Sequence, residues 1–266
     1  MLTLYHGRTS VCSVKARLAL AEKGVAFESK LMTLRGDQYD PAYMKLNPNA
    51  VVPTLVHDGH VVIESTVIMH YVNDVFPGTQ LMPTDPIARA KVHMTAKLMD
   101  EYVHNCCTVL TFATANRENL RQLPPEQFEA DLAKSPNQSR SEAKRQVVAL
   151  GLDAPLVVDA LHAHGKLLDR IENAMQHGNF IAGDSYSLAD AAATPYLFRL
   201  EKLRVQQLWE NRPGVTAWYA RMKARPSFKT AVEGWLTPAD HDRYARFQPD
   251  PWPRVSQIVQ ALVTAN

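Results

Sequence analysis

Three side chains with sulfur or hydroxyl groups lie close together near the amino terminus: Ser10, Cys12 and Ser13. They follow a predicted strand at residues 2–5 and precede an apolar pattern with helical spacing over residues 13–23. The start of a helix has free N–H groups and about half a positive charge, so a thiol there ionises more easily. A hydroxyl there can donate a hydrogen bond to a neighbouring thiolate. The segment predicts a site for a thiolate, with simple helix capping by serine as the plainer alternative.

The cysteines narrow this chemistry further. Lys15 stands three residues after Cys12, where a dithiol oxidoreductase would have its second cysteine, so that class is excluded. A reaction through the single thiol of Cys12 stays open. The remaining cysteines, Cys106 and Cys107, are adjacent, and three cysteines cannot all pair. We therefore expect a reducing compartment.

Composition excludes several other classes. The 266 residues carry a net charge of +2 with Lys and Arg spread along the chain, which argues against a nucleic-acid partner. We find neither a signal-peptide pattern nor an apolar run of roughly 18 residues, so we expect a cytoplasmic protein without a membrane partner. The ten histidines include no His-x-x-x-His with a neighbouring Glu, and no metal site is expected.

Two further segments predict binding of an extended peptide. Val52-Pro53 precedes a predicted strand, and a cis bond there would turn the Val52 backbone outward to pair with a ligand. Glu64 and Ser65 stand at a predicted helix start, where a hydroxyl and free N–H groups suit a carboxylate and the Glu suits an ammonium. A strand-starting proline and a helix cap are the plainer alternatives.

The first 75 residues alternate between strand and helix patterns. Strands are predicted at residues 2–5, 26–32, 54–56 and 61–63, and helices at residues 13–23, 38–46 and 65–74. The pair Asp58-Gly59 between the last two strands is a strong hairpin signal. This order predicts an α/β thioredoxin-like domain over residues 1–76, with helices on both faces of a four-stranded sheet.

The rest of the chain favours helices. Three prolines and a glycine within residues 77–86 predict a linker, followed by an all-helical domain over residues 87–266. Helices are predicted at residues 85–117, 153–177, 187–204, 213–224 and 227–235. The polar, proline-broken stretch 118–150 predicts an insertion between helices. The tail from Leu236 contains a proline run at 249–253 that should not continue a helix, followed by a short apolar helix at 255–263.

Residues 1–75 resemble the glutathione-binding domain of soluble glutathione transferases. The shared pattern is the Ser/Cys segment before the first helix, Asn-Pro-x-x-x-Val-Pro-Thr-Leu from Asn47, then Asp-Gly and Glu-Ser. Residues 180–190 are similar to the N-capping box and hydrophobic staple of that family. There Ser187 would cap a buried helix, Asp190 would return the hydrogen bond and Tyr186 would pack back, which is a structural role. The resemblance covers roughly residues 1–235 and implies the glutathione transferase fold.

The resemblance also implies an enzyme with glutathione as co-substrate and a homodimer. The thiolate of glutathione would attack an electrophilic, aromatic substrate with help from Ser10, Cys12 or Ser13. The residues expected to bind glutathione are Gln38 at the glycyl carboxylate, Val52 and Pro53 at the cysteinyl part, and Glu64 and Ser65 at the γ-glutamyl part. Tyr102 and Cys106 could line the co-substrate pocket, although core packing is the plainer role for the cysteine.

Within the family the chain resembles two groups. Residues 9–19 and 221–228 are similar to tetrachlorohydroquinone reductive dehalogenases, and the first segment also to the zeta class. In those proteins a Ser at the place of Ser10 assists the thiolate, and a Cys at the place of Cys12 forms or resolves a mixed disulfide. Residues 61–68 and the 118–150 insertion resemble bacterial β-etherases. We favour conjugation or β-aryl ether cleavage, with glutathione-dependent reduction through Cys12 and non-catalytic ligand binding as alternatives.

Overall fold

The computed structural model describes residues 1–264, and its first part is a four-stranded mixed sheet. The strands are β1 (Leu2–Gly7), β2 (Glu28–Met32), β3 (Thr54–His57) and β4 (His60–Ile63). Their order is β2-β1-β3-β4, with β1 parallel to β2 and antiparallel to β3. Asp58 and Gly59, both with positive φ, close the hairpin between β3 and β4. The four strands and the hairpin are confirmed, with β2 two residues shorter than predicted.

Three helices cover the two faces of this sheet: α1 (Val11–Glu22), α2 (Pro41–Leu46) and α3 (Ser65–Val75). Leu4 of β1 and Ile68 of α3 are fully buried in the main core, on the face that α1 and α3 cover. On the other face Tyr43 of α2 packs with Met32 and Val52 in a smaller cluster. The predicted thioredoxin-like arrangement is confirmed.

The remainder of the described chain is helical. Its helices are α4 (Pro86–Leu98), α5 (His104–Ala113), α6 (Arg117–Arg121), α7 (Pro125–Ala133), α8 (Gln138–Leu150), α9 (Leu156–Met175), α10 (Leu188–Lys202), α11 (Pro213–Lys223), α12 (Pro226–Ala231), α13 (Pro238–Arg246) and α14 (Trp252–Thr264). A π-helical turn at Met99–Val103 joins α4 to α5. The long helix expected over residues 85–117 is therefore interrupted by one widened turn.

The stretch 118–150, predicted as a broken insertion, is itself helical and contains most of α6 together with α7 and α8. Pro125 occupies the first helical position of α7, where a proline costs nothing because no N–H is needed there. Val147 and Val148 of α8 are buried, and α8 packs on α5. The prolines of this segment start and separate helices.

The tail also differs from expectation. α14 begins at Trp252, inside the proline run that was predicted to exclude a helix, because Pro253 falls in its first turn. Tyr244 of α13 and Val255 and Ile258 of α14 are buried in the main core. The short apolar helix predicted at residues 255–263 lies within α14, and the last two residues of the predicted tail lie outside the described residues.

The predicted capping box is present at the start of α10. The Ser187 Oγ accepts a hydrogen bond from the Ala189 N–H at 3.3 Å, and Asp190 Oδ2 accepts one from the Ser187 N–H at 2.9 Å. Tyr186 is buried beside them. The motif has the structural role that was expected. α10 also packs against α1 and so joins the helical part to the sheet part.

Among residues 1–264, no single helix is long and apolar enough to cross a membrane. The consecutive segments Gln138–Asp153 and Leu156–Met175, bent by 85°, reach that length and composition only when counted together. In the second segment Leu167, Leu168 and Ile171 are buried in the main core.

Candidate active site

The loop after β1 places Ser10 at the N-cap of α1. The Ser10 Oγ accepts a hydrogen bond from the Ser13 backbone N–H at 3.3 Å. The side chain is partly exposed, and within residues 1–264 its O–H donates no hydrogen bond. A serine hydroxyl can accept and donate at once. Capping therefore leaves Ser10 able to donate to a bound thiolate.

Ser13 has a different environment. It is fully buried, and its Oγ accepts a hydrogen bond from the Gly7 backbone N–H at 3.0 Å. This bond ties the first turn of α1 to the end of β1. Because Ser13 faces the interior, its burial argues against the direct catalytic role that the sequence suggested. It supports the loop that carries Ser10.

Cys12 lies half-buried where α1 meets the helical part of the molecule. Its Sγ is 3.4 Å from Nδ1 of His104, the first residue of α5. Burial raises the pKa of the Cys12 thiol, but the charge and hydrogen bond of His104, the charge of Lys15 and a hydrogen bond with Ser65 together outweigh it. The pKa of Cys12 is lowered to about 6 as a result. Cys12 is therefore mainly a thiolate at neutral pH.

His104 reaches Cys12 from the end of the π-helical turn Met99–Val103. Such single π turns inside α-helices are frequent at functional sites. On its other side the Nδ1 of His104 is 3.4 Å from the hydroxyl of Tyr196, a fully buried residue of α10. The imidazole is thus held between the two side chains.

An ion pair between a buried lysine and an exposed aspartate accompanies this contact. Lys15, one turn after Cys12 on α1, is fully buried and donates from Nζ to Asp100 Oδ1 at 2.9 Å and to Thr66 Oγ1 at 2.8 Å. Sequence reasoning missed His104 because 92 positions separate it from Cys12 and no local spacing connects them. A local signal was available in Lys15, because a charged residue among the apolar positions of α1 indicates a polar partner on the element that packs there.

The Val52-Pro53 bond is cis, which is the geometry on which the predicted peptide-binding role depended. The neighbouring carbonyl of Val51 accepts hydrogen bonds from the Tyr43 hydroxyl at 2.6 Å and from Asn47 Nδ2 at 3.0 Å. These bonds hold the turn in place. Within residues 1–264 neither the N–H nor the C=O of Val52 has a hydrogen-bond partner.

Glu64 and Ser65 lie where α3 begins. Glu64 is exposed and has a φ of 68°, in the left-handed region that a non-glycine residue rarely adopts. Such strain is concentrated at functional sites. Ser65 is the first residue of α3, and it is close enough to Cys12 to help lower the pKa of that thiol, so the starts of α1 and α3 lie together. The structure therefore groups Ser10, Cys12 and Ser65 at one place.

The other predicted site residues are placed less centrally. Gln38 lies in a short 3₁₀ turn, where its Oε1 accepts a hydrogen bond from the Gly36 N–H at 3.0 Å. Tyr102 is 56% exposed on the π-helical turn. Cys106 points toward α9, with its Sγ 3.9 Å from the Asp159 carbonyl oxygen, and burial raises its pKa to about 11.

The position of Cys106 favours packing, one of the two roles considered for it. Two residues along a helix rotate a side chain by roughly 200°, so Cys106 points away from the face that carries His104. Packing, which was the plainer alternative for Cys106, describes its contacts better than a co-substrate pocket. His104 is the residue of α5 that meets Cys12.

Arginines from both parts of the molecule surround the segment before Ser10. Arg199 of α10 donates to the carbonyl of Thr9 and, at 2.8 Å, to Thr111 Oγ1. Arg8 pairs with Asp240 of α13 at 3.0 Å between Nε and Oδ2. α13 is thereby anchored against the loop that carries Ser10, so the tail borders the site.

Comparisons with known proteins show the family of this chain. The model of the glutathione S-transferase N-terminal domain matches residues 1–74, and that of the C-terminal domain matches residues 116–226. Protein LigF of Sphingobium sp. (strain NBRC 103272 / SYK-6) is 31% identical over 241 residues, which cover 87% of this chain and 93% of LigF. The tetrachloro-p-hydroquinone reductive dehalogenase of Sphingobium chlorophenolicum is 32% identical over 242 residues, covering 86% of this chain and 95% of the dehalogenase.

Solved structures give the same result. The crystal structure of beta-etherase LigF from Sphingobium sp. strain SYK-6 matches with a TM-score of 0.78 at 30% identity, over 88% of this chain and 99% of that chain. Glutathione transferase F7 from Populus trichocarpa matches with a TM-score of 0.69 at 26% identity, over 89% of this chain and 100% of that chain. With its two domain matches and relatives that are 31% and 32% identical, the chain belongs to the glutathione S-transferase family and is a glutathione transferase with glutathione as co-substrate.

Proposed function

We propose that this enzyme transfers the glutathione thiolate to an aromatic electrophile, by conjugation or by cleavage of a β-aryl ether. The observation that carries the proposal is the grouping of Ser10 at the start of α1 with Ser65 at the start of α3. Two helix N-termini supply N–H groups and positive potential to one anionic ligand. An aromatic substrate is supported by relatives named beta-etherase and tetrachloro-p-hydroquinone reductive dehalogenase.

Each part of glutathione has a proposed partner. The unpartnered backbone of Val52 pairs with the cysteinyl part, with Pro53 fixing the turn. Glu64 binds the γ-glutamyl ammonium, Ser65 and the first N–H groups of α3 bind its carboxylate, and Gln38 binds the glycyl carboxylate. In this proposal residues 1–76 form the glutathione domain, 77–86 the linker and 87–266 the co-substrate domain.

In the transfer step the Ser10 hydroxyl donates a hydrogen bond to the glutathione thiolate. This bond and the start of α1 lower the thiol pKa from its usual value near ~8.5. The thiolate then attacks the carbon that bears the ether oxygen. A C–S bond forms, the C–O bond breaks, and the electron pair leaves with the phenolate oxygen. With an aryl halide the same attack releases halide.

The thiolate of Cys12 favours a second activity beside the same site. In that reaction Cys12 attacks the sulfur of an aryl–glutathione intermediate in its keto form. An S–S bond forms, the C–S bond breaks, and the carbon takes the electron pair and a proton. A second glutathione then releases Cys12 and leaves as glutathione disulfide, so two thiols are oxidised and the substrate gains two electrons.

Mass spectrometry of the products separates the two activities. The enzyme is incubated with glutathione and either a β-aryl ether or a chlorinated hydroquinone, alongside the Cys12→Ser variant. A glutathionyl product from the ether, formed equally by the variant, supports transfer. Chloride release that requires Cys12 shows reduction and overturns our preference. If the enzyme turns over neither substrate, both ether cleavage and reductive dehalogenation are ruled out. An aryl halide then tests generic conjugation.

We also propose a homodimer that works in the cytoplasm. The side chains of Val67 on α3 and Ile87 and Met94 on α4 are 53%, 68% and 51% exposed. The two helices are neighbours, since the rings of His70 and His93 stack at 5.2 Å. An apolar surface of this kind suits a second copy across a two-fold axis. A reducing compartment fits the use of Cys12 as a thiolate.

A further inference from the structure

Two polar contacts join α1 to the helical domain one above the other. Cys12 Sγ lies 3.4 Å from His104 Nδ1, and Lys15 Nζ lies 2.9 Å from Asp100 Oδ1. Cys12 and Lys15 are three residues apart on α1. Their partners, His104 and Asp100, are four residues apart across the π-helical turn. Each contact therefore pairs a group of one domain with a group of the other.

We propose that His104 is a positioning residue that takes the proton of the Cys12 thiol, so that Cys12–His104 and Lys15–Asp100 form a two-step ion-pair ladder between the domains. The proton moves from Sγ to Nδ1 and no other bond changes. The protonated Nδ1 then donates to the sulfur, with the Tyr196 oxygen 3.4 Å away as a second acceptor. The inference deepens the Cys12 activity and rests on the proposed function only for its substrate.

The other groups near Cys12 do not offer an alternative proton acceptor. The charged and titratable side chains coupled to it come from α1, α5 and α10, with a hydroxyl from α3: Lys15, His104, Cys107, Tyr196 and Ser65. Burial raises the pKa of Cys107 to about 11 and that of Tyr196 well above its usual value, so both stay neutral.

Lys15 and Asp100 contribute charge rather than proton transfer. The Lys15 ammonium already donates to Asp100 and to Thr66, and it is fully buried. Its positive charge lowers the pKa of Cys12, and Asp100 offsets part of that charge. The ladder predicts that removing Lys15 raises the pKa of Cys12 and that neutralising Asp100 lowers it, although both changes break the same ion pair.

In this arrangement the ionisation of the Cys12 thiol depends on contact between the two domains. His104 and Asp100 belong to the helical domain, whereas Cys12 and Lys15 are on α1. A stable thiolate needs both sides in place, since burial without His104 raises the thiol pKa. Cys12 is therefore a nucleophile assembled at the interface, directed at the sulfur of a glutathionyl adduct.

The first experiment measures the rate of Cys12 alkylation by iodoacetamide between pH 5 and 9 on the full chain, with peptide mass spectrometry. Wild type should show half-maximal rate near the Cys12 pKa of about 6. His104→Ala, and His104→Asn with a polar group that cannot take the proton, should each raise this midpoint by about one unit or more. An unchanged midpoint in both variants overturns the proposal. Cys106, with a pKa raised to about 11, is the internal unreactive control.

The second experiment tests the prediction that Lys15 and Asp100 shift the alkylation midpoint in opposite directions. Lys15→Met should raise the midpoint, and Asp100→Asn should lower it, whereas general loosening of the interface would move both the same way. Shifts in one common direction contradict the ladder. If Lys15→Met fails to fold, Asp100→Asn alone must still lower the midpoint. The assay contains neither glutathione nor an aromatic substrate, so a failure of glutathione binding would overturn the proposed function and leave the ladder standing.

Discussion

Trp218 donates its indole N–H to Oδ1 of Asp190 at 2.8 Å, and both side chains are fully buried. The same carboxylate accepts hydrogen bonds from the N–H of Ile181 at 3.0 Å and from the N–H of Ser187 at 2.9 Å. Asp190 therefore connects the start of α10 both to α11 and to the segment that precedes α10. Removing the carboxylate leaves several buried donors unsatisfied.

We expect Asp190→Ala to lower the free energy of unfolding by at least about 3 kcal/mol, since each unsatisfied buried donor costs about 1–3 kcal/mol. Urea unfolding followed by circular dichroism measures the loss. Asp85→Ala is the matched control, because Asp85 caps α4 through one exposed hydrogen bond to the Ala88 N–H at 2.7 Å. That variant should lose about 1 kcal/mol. Equal losses would mean that the Asp190 network adds nothing beyond a cap.

His6 predicts a pH dependence of stability. Arg17 donates to its Nδ1 at 3.0 Å, so Nε2 carries the proton and donates to Ser29 Oγ at 2.8 Å. Burial, and then the charge of Arg17, lower the pKa of His6 from 6.5 to about 4. The unfolded chain thus binds a proton near pH 6.5 that the folded chain refuses until about pH 4. The stabilisation is complete above pH 6.5 and is lost as the pH falls toward 4.

Urea midpoints at pH 7.5 and 5.5 measure this effect. The drop from His6 should be about 1.4 kcal/mol for one pH unit below the unfolded pKa. His164 is also fully buried, with its pKa lowered to about 4, and should add a similar drop. His6→Gln should therefore reduce the drop by about 1.4 kcal/mol, while the contributions of His164 and of Cys12, whose pKa is lowered to about 6, remain. A variant whose midpoint falls as steeply as that of wild type would show that His6 does not carry it.

The sheet and the starts of α1 and α3 could be predicted because their signals are local. Asp58-Gly59 fixes a hairpin within four residues. The stretch 118–150 could not be predicted well, because a proline at the first helical position looks the same in sequence as a helix breaker. Tertiary packing of Val147 on α5 decided between them.

The residues of the candidate site also fall into those with a local sequence signal and those that only tertiary packing brings together. Ser10, Cys12 and Ser65 were predicted from their positions at helix starts, which local patterns show. Ser13 shares that position, but the rotation of the helix turns it inward, and only the structure distinguishes the two serines. His104 was missed because its relation to Cys12 depends on how the domains pack and on one π-helical turn.

Ser65→Ala should weaken glutathione binding. A hydrogen bond to a charged group is worth about 1.5–3 kcal/mol, so the dissociation constant should rise about ten-fold or more. Titration calorimetry measures it directly. Ser256→Ala is a control, since that hydroxyl donates to the Pro253 carbonyl of its own helix at 3.0 Å, far along the chain from the proposed glutathione site. Wild-type affinity in Ser65→Ala would remove Ser65 from the proposed γ-glutamyl site.

Met94→Glu should convert a dimer into a monomer. Met94 is 51% exposed on α4, so in a monomer the substitution should change stability by no more than about 0.5 kcal/mol. In a dimer it would bury a charge at the interface. Light scattering at micromolar concentration should give twice the chain mass of 29.8 kDa for wild type and for the control Val263→Glu, which alters a 72% exposed side chain on α14. A wild-type particle of single-chain mass would contradict the proposal.

Ser10 and Cys12 should fail in different ways when each is changed. If transfer is the activity, Ser10→Ala removes the donor to the glutathione thiolate, so the pKa of the bound thiol rises and conjugation at neutral pH slows about ten-fold or more. Cys12→Ser should then change the rate little. Stopped-flow absorbance of the bound thiolate against pH measures the first effect, and its midpoint should move upward only in Ser10→Ala.

If reduction is the activity, Cys12→Ser should stall the reaction after one thiol addition, because no thiolate is left to attack the glutathionyl sulfur. The aryl–glutathione conjugate should then accumulate and be visible by mass spectrometry, while wild type releases the reduced arene and glutathione disulfide. Cys106 cannot substitute, since burial raises its pKa to about 11 and it points toward α9. Glutathione disulfide formed at the wild-type rate by Cys12→Ser would exclude the reductive route. Full conjugation activity in Ser10→Ala would move the thiolate partner away from Ser10.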